Sequence, residues 1–216
     1  MGKHRKPTGV DGPIRLTRFD DGMSHEFLTF RWPATKEEIE LLVINSFVRD
    51  ASPAGLIRYE ITGIQRLPQS DLDFRLATSR GAKLFELMEL VSLEGYQAGT
   101  KPSNSYEMAR WTRDKILEKS GRYGTRRANP MNLLLYSTHF GFSLESTELE
   151  LVQYWTAVWP HVFEAIYFYR PTDAATGIGH VVFPTPIQRW IGYDAEKYRE
   201  VKVLRLDPRE WKPTRQ

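Results

Sequence analysis

Leu72-Asp73-Phe74-Arg75-Leu76-Ala77, Thr78-Ser79-Arg80-Gly81, then Lys83-Leu84-Phe85-Glu86-Leu87-Met88-Glu89-Leu90-Val91: this stretch decides the fold. The first run alternates apolar and polar residues, the second is a longer apolar-rich run, and the polar segment between them ends in glycine. Such a pattern predicts a β-hairpin. With Thr78–Gly81 as a four-residue loop, Ala77 faces Ala82, and counting outward sets Asp73 opposite Glu86. Directly opposed residues share a face, with Cβ atoms about 4.5–5.5 Å apart. Two bare carboxylates so placed repel, and a divalent cation, a raised pKa or a nearby Lys or Arg must compensate. Mg²⁺ takes carboxylate oxygens and keeps waters for a substrate phosphate. Such an ion activates water and neutralises a phosphodiester in its transition state. The plainer alternative is a pair of acids tolerated on a solvated face beside Arg75 and Lys83. A slip of one residue in register would undo the pairing altogether.

Outward from the hairpin, Ile57–Thr62 alternates and reads as a preceding strand, which makes a three-strand meander. Before it, Thr35-Lys36-Glu37-Glu38 is a capping box, and Ile39, Leu42, Val43 and Phe47 follow at helical spacing. This helix should end near Asp50. After the hairpin, residues 94–103 read as a loop and 105–119 as a helix stopped at Ser120-Gly121. Met131–Ser137 is nearly continuous in apolar residues, the mark of a central strand buried on both faces. Ser146–Trp159 reads as a helix with Leu149, Val152, Trp155 or Thr156, and Trp159 inward. Strands are expected at 162–169, 179–183 and 201–206, with a short one at 26–31. Helix, meander, helix, strand, helix, strand implies an α/β fold with a mixed central sheet and helices on both faces. Residues 1–24 read as a mobile basic arm, and 25–216 as one domain.

The 216 residues suffice for one large domain. At 41% hydrophobic and 12% aromatic, they can fill a packed core. With no cysteine, disulfides, thiolate catalysis and cysteine zinc sites are excluded, and a reducing, cytoplasmic location is expected. No apolar run approaches the roughly 20 residues of a membrane span. Met1-Gly2-Lys3-His4-Arg5-Lys6 has no apolar stretch after it, so no signal peptide is expected. Net charge is only +3, but Arg110–Arg127 carries seven basic residues (Arg110, Arg113, Lys115, Lys119, Arg122, Arg126, Arg127) against two acids. A cluster of this kind can hold a nucleic-acid backbone, although it also suits a solvated helix face. Self-association is left open.

The hairpin and its flanks resemble the PD-(D/E)XK nuclease-like superfamily over roughly residues 35–170. That fold runs helix, three-strand meander, helix, strand, as in the restriction endonucleases. Its signature sets an Asp at the start of the meander's second strand and Glu-x-Lys on the third. Here Gln69-Ser70-Asp71-Leu72-Asp73-Phe74 and Phe85-Glu86-Leu87-Met88-Glu89 stand in those places, and Asp73 and Glu86 match. The resemblance implies that Asp73 and Glu86 hold Mg²⁺, with Glu40 or Glu37 of the first helix completing the shell. The signature lysine, which positions the attacking water, is Met88, which has no proton to offer. Lys83 lies three residues before Glu86 and by alternation faces away. Lys119 or Lys115 of the next helix can swing in, as migrated lysines do in some members, or the site is inactive. The resemblance therefore implies a Mg²⁺-dependent nuclease acting on DNA or RNA. The other reading is an inactive nuclease-like fold that binds nucleic acid or protein.

Other motifs point to less. His4, His25, His139, His161 and His180 lack zinc spacing. His139 follows the central strand, where sites often sit, but reads better as a structural residue. Gly177-Ile178-Gly179 lacks the context of a nucleotide fingerprint. Tyr154, Trp155, Trp159, Phe163, Tyr167, Phe168 and Tyr169 can stack bases, yet their spacing suits a core.

Overall fold

The computed structural model describes residues 10–11, 14–19, 22–27, 30–68, 72–90, 104–124, 130–138, 143–144, 146–172 and 176–201. In chain order the strands are β1 (Val10–Asp11), β2 (Ile14–Phe19), β3 (Gly22–Phe27), β4 (Phe30–Arg31), β5 (Ile61–Arg66), β6 (Phe74–Thr78), β7 (Gly81–Glu89), β8 (Met131–Tyr136), β9 (Phe163–Pro171) and β10 (Gly177–Phe183). The helices are α1 (Lys36–Ala51), α2 (Ser105–Tyr123) and α3 (Ser146–Val158). Six strands form one sheet in the order β10-β9-β8-β7-β6-β5. β5, β6 and β7 are the antiparallel meander; β8 and β9 add parallel to β7, and β10 closes antiparallel. The expected α/β class and mixed sheet are present. No helix among the described residues is long and apolar enough to cross a membrane.

Parallel neighbours need crossovers, and a right-twisted sheet takes them right-handed. Two successive steps in one direction, β7 to β8 and β8 to β9, therefore put α2 and α3 on the same face. There Ile116, Leu151, Val152 and Trp155 pack with Leu133, Leu135 and Phe168. α1 covers the other face, where Ile39, Val43, Ile44 and Phe47 meet Phe74, Phe85, Leu134, Tyr136, Tyr167 and Tyr169. β8 lies between the two layers, and all six of its residues are buried, as its apolar run predicts.

The capping box forms as read, with Thr35 Oγ1 accepting from the Glu38 N–H (3.2 Å) and the Thr35 N–H donating to Glu38 Oε2 (3.2 Å). The hairpin register is also the expected one, with Ala77 opposite Ala82 and Phe74 opposite Phe85. Several boundaries differ. The strand expected at 57–62 begins at Ile61, because the Leu56 and Ile57 amides are used by the Ala51 carbonyl at the end of α1. α2 passes through Gly121 and stops at Gly124, whose φ of 53° suits glycine. Trp159 is 45% exposed rather than inward. α3 is turned so that Glu148 is buried and accepts from Ser105 Oγ at 2.6 Å. Part of the stretch read as an arm pairs as the β2–β3 hairpin. The strand expected at 201–206 falls almost wholly outside the described residues.

The Gly177-Ile178-Gly179 segment has a packing reason. A Cβ on Gly177 would lie 2.1 Å from Tyr169 Oη, and one on Gly179 would lie 2.5 Å from Leu56 Cδ1. Phe47 is the hub of the α1 face, with ring centroids 6.0 Å from Phe85, 5.3 Å from Tyr167 and 5.8 Å from Tyr169. Phe47→Ala should cost about 3–5 kcal/mol, read as a lower urea midpoint at unchanged m-value. A loss under about 1 kcal/mol would mean that this layer does not hold the sheet.

Candidate functional site

The site forms where β6 leaves β7. Their last paired residues are Phe74 and Phe85, whereas β7 runs on beside β8 to Glu89. Beyond the fork β7 has lost its neighbour on that side, and a buried backbone N–H left there without a partner is costly. Asp73 fills the gap, because its Oδ2 accepts from the Leu87 N–H at 2.7 Å. The Asp73 carbonyl meanwhile accepts from the Leu67 N–H at 2.9 Å, which ties the residue to the chain leaving β5.

Glu86 lies on β7 at the fork, 7% exposed, and points toward α2. Lys119 comes down to meet it. Met108, Thr112, Ile116 and Ser120 set the inward face of α2, and the Ser120 hydroxyl accepts from the Val162 N–H at 3.1 Å. One position before Ser120, Lys119 flanks that face. Its Nζ sits 2.6 Å from Glu86 Oε1 and donates to the Leu87 carbonyl at 2.9 Å. The second carboxylate oxygen, Glu86 Oε2, is buried without a hydrogen-bond partner among the described residues. An unmatched buried carboxylate oxygen favours a further donor or cation.

Glu40 projects from the buried face of α1 at 3% exposure. Lys36 Nζ is 3.2 Å away, one turn back on the helix, and an Arg66 guanidinium nitrogen is 3.5 Å away. Burial pushes the Glu40 carboxyl above its ordinary range, and the Asp73 charge adds to this, outweighing Lys36 and Arg66. Burial pulls the Lys36 ammonium down, yet it ends above its ordinary value because of Glu40, with Asp73 and Glu86 contributing. Three acids thus meet three cations, Lys36, Arg66 and Lys119. Among the described residues, no group of three or more His, Asp or Glu is arranged to hold one metal ion. The shell of Asp73, Glu86 and Glu40 implied by the resemblance is therefore not assembled here, because Glu40 is engaged by Lys36 and Arg66. Asp73 and Glu86 offer only carboxylate oxygens, of which Glu86 Oε2 has no hydrogen-bond partner among the described residues.

Of the three candidate lysines, Lys83, Lys115 and Lys119, it is Lys119 that reaches Glu86. Lys83 faces away, as alternation requires, and pairs with Glu164 at 2.8 Å. Lys115 pairs with Glu118 at 2.9 Å. Met88 packs against the α2–α3 core and, with Lys115, Glu118, Lys119 and Arg122, lines a cleft of about 170 Å³. Glu37 is only half-buried in the first turn of α1, so Glu40 is the acid that reaches the sheet.

The basic stretch does not form one surface. At about 100° per residue, Lys115, Lys119 and Arg122 share one side of α2, while Arg110 and Arg113 lie on the opposite side. Arg113 is held by Asp114 at 2.6 Å and lies over Trp155 and Trp159, 5.0 and 4.7 Å from the ring centroids. Arg126, Arg127 and His139 fall outside the described residues. His161 is held at the start of β9, with its Nδ1 accepting from the Phe163 N–H at 3.3 Å and its pKa lowered by burial. Lys36 and Arg66 are the site residues that sequence reasoning missed. Lys36 is legible as the i, i+4 partner of Glu40, but Arg66 is placed only by sheet register.

Glu40 gives a pH signature. Its folded pKa is raised, so this group's contribution is fully present below the ordinary Glu value of about 4.3 and is lost as pH rises through the folded value. Glu40→Gln cannot lose it. Urea midpoints measured from pH 4 upward should show wild type falling relative to Glu40→Gln across that window. A constant difference, or wild type gaining, would contradict the buried and crowded carboxyl.

No family model matches the chain, and no curated protein matches it. Among solved structures, Pyrococcus furiosus SfsA in complex with Ca²⁺ is similar at 12% identity and a TM-score of 0.33, over 81% of this chain and 90% of that one.

Proposed function

We propose that this chain is a metal-dependent phosphodiesterase of DNA or RNA. It would be built on the PD-(D/E)XK-like arrangement of helix, meander, helix and strand, with its lysine supplied by α2 instead of β7. The observation that carries the reading is Lys119, whose Nζ lies against Glu86 Oε1 and the Leu87 carbonyl. A methionine at the signature position then ceases to be an objection, because an ammonium reaches the same carboxylate from the neighbouring helix. Asp73 and Glu86 would hold Mg²⁺, and the unmatched Glu86 Oε2 is the oxygen with capacity to spare. A bound ion would supply charge neutralisation at the phosphodiester and a water of lowered pKa. Lys119 would orient that water and stabilise developing negative charge, as a preorganised cation in a water-poor site does. Glu40, with Lys36 and Arg66, sets the potential beneath the site without directly holding the ion.

The second reading, a nuclease-like fold that only binds, has its own observation. Three cations already offset the three acids, and no three-ligand set is arranged among the described residues. Calorimetry with Mg²⁺ and Mn²⁺ separates the two. The enzyme reading expects binding by wild type and its loss in Asp73→Ala. It also expects cleavage of a labelled oligonucleotide that falls by about 10²–10³ in Lys119→Ala, the usual scale for losing one preorganised group that stabilises developing charge. Failure of wild type to bind either ion leaves the binding reading. Cleavage that survives Glu86→Ala removes this site from the chemistry.

A further inference from the structure

Among the described residues, the face of the sheet that carries Glu86 is only partly roofed. α2 and α3 are the crossovers of β7, β8 and β9, so they pack over that side of the sheet, and α3 also packs against β10. The meander continues beyond them. On it, paired residues share a face, and the register sets Gly63 beside Ala77 beside Ala82, and Gln65 beside Arg75 beside Leu84. Strand alternation carries that row along β7 from Ala82 through Leu84 to Glu86, a run of about 13 Å.

The outcome is a trough of about 400 Å³ whose lining includes Gly63, Gln65, Arg75, Ala77 and Ala82. Its volume is within the range of about 300–1,000 Å³ typical of ligand sites. Small side chains leave the sheet backbone open to a flat group. Arg75 is exposed and has no ion-pair or hydrogen-bond partner among the described residues. Most cations around the site are spent: Lys36 and Arg66 on Glu40, Lys119 on Glu86, Lys115 and Arg122 on Glu118. Arg75 remains, and its planar fork suits a phosphate.

We infer that this trough seats single-stranded nucleic acid, with Arg75 on a backbone phosphate and the Gly63–Ala77–Ala82 floor under a sugar or base. The inference rests on the phosphodiesterase reading, since it names the substrate path leading to Glu86. A narrow floor next to one unpaired cation takes one strand laid flat. Gln65 stands beside Arg75 with a donor and an acceptor for the same strand.

The test is fluorescence anisotropy of a labelled oligothymidylate with the full chain, in EDTA so that no cleavage occurs, over a range of salt. Arg75→Ala should weaken binding about tenfold and reduce the log–log salt slope by about 0.7, the value for one phosphate contact on a single strand. Arg80→Ala, an equal loss of charge in the adjacent turn, should change neither quantity as much. Ala82→Trp, at an exposed position, should weaken binding by filling the floor. An Arg75→Ala variant indistinguishable from Arg80→Ala overturns the inference, as does a wild type that binds no oligonucleotide. Metal calorimetry keeps the two readings apart. If wild type binds no Mg²⁺ or Mn²⁺ but Arg75→Ala still weakens the oligonucleotide complex, the trough stands and the enzyme reading falls.

Discussion

The divergence of β6 from β7 after the Phe74–Phe85 pair governs the rest of this molecule. A sheet that simply ended there would leave the Leu87 N–H without a strand partner inside the protein. Asp73 supplies the acceptor, at 2.7 Å, and in doing so is fixed at the fork. The same departure leaves β7 free to continue along β8, which carries Glu86 to the junction of meander and parallel sheet. A backbone requirement and a side-chain constellation are therefore met by the same residue.

Around this fork the charges are balanced locally. A buried charge lacking a partner is strongly destabilising, and a paired one is close to neutral. Glu40 at 3% exposure and Glu86 at 7% exposure each have a cation within 3.2 Å. Such pairs are weak grounds for stability, so stability must come from the two apolar layers that enclose β8. Among the described residues, the balance is incomplete at Glu86 Oε2. There the arrangement departs from what packing alone would select, and departures of that kind gather at functional sites.

The two faces of the sheet divide the labour. The α1 face is closed by aromatic packing around Phe47 and carries Glu40 at its margin. The α2–α3 face is covered where the parallel strands lie and, among the described residues, no helix covers it over the meander. This follows from handedness: both crossovers run from β7 toward β9, so neither returns over β5 and β6. The open part of the face, with Arg75, thus comes from topology and not from a dedicated loop.

Much of this was legible in the amino-acid order. Alternation and a polar, glycine-ended turn set the hairpin register as far as Phe74 and Phe85, and the expected Asp73–Glu86 opposition falls one step past the last strand pair. The capping box placed the start of α1, and an unbroken apolar run placed β8 at the centre of the sheet. These are local rules, in which backbone hydrogen bonds and period decide the outcome. The tertiary structure decided the rest. The first meander strand starts late because the end of α1 uses the amides of Leu56 and Ile57. Glu40 is drawn away from a shared ligand set by Lys36 and Arg66, and the basic stretch of α2 divides between two sides of a helix. Among the candidate lysines, only packing could choose Lys119. Its place depends on how deeply Ile116 and Ser120 seat α2 against the sheet, a matter of contacts between segments that no local pattern encodes.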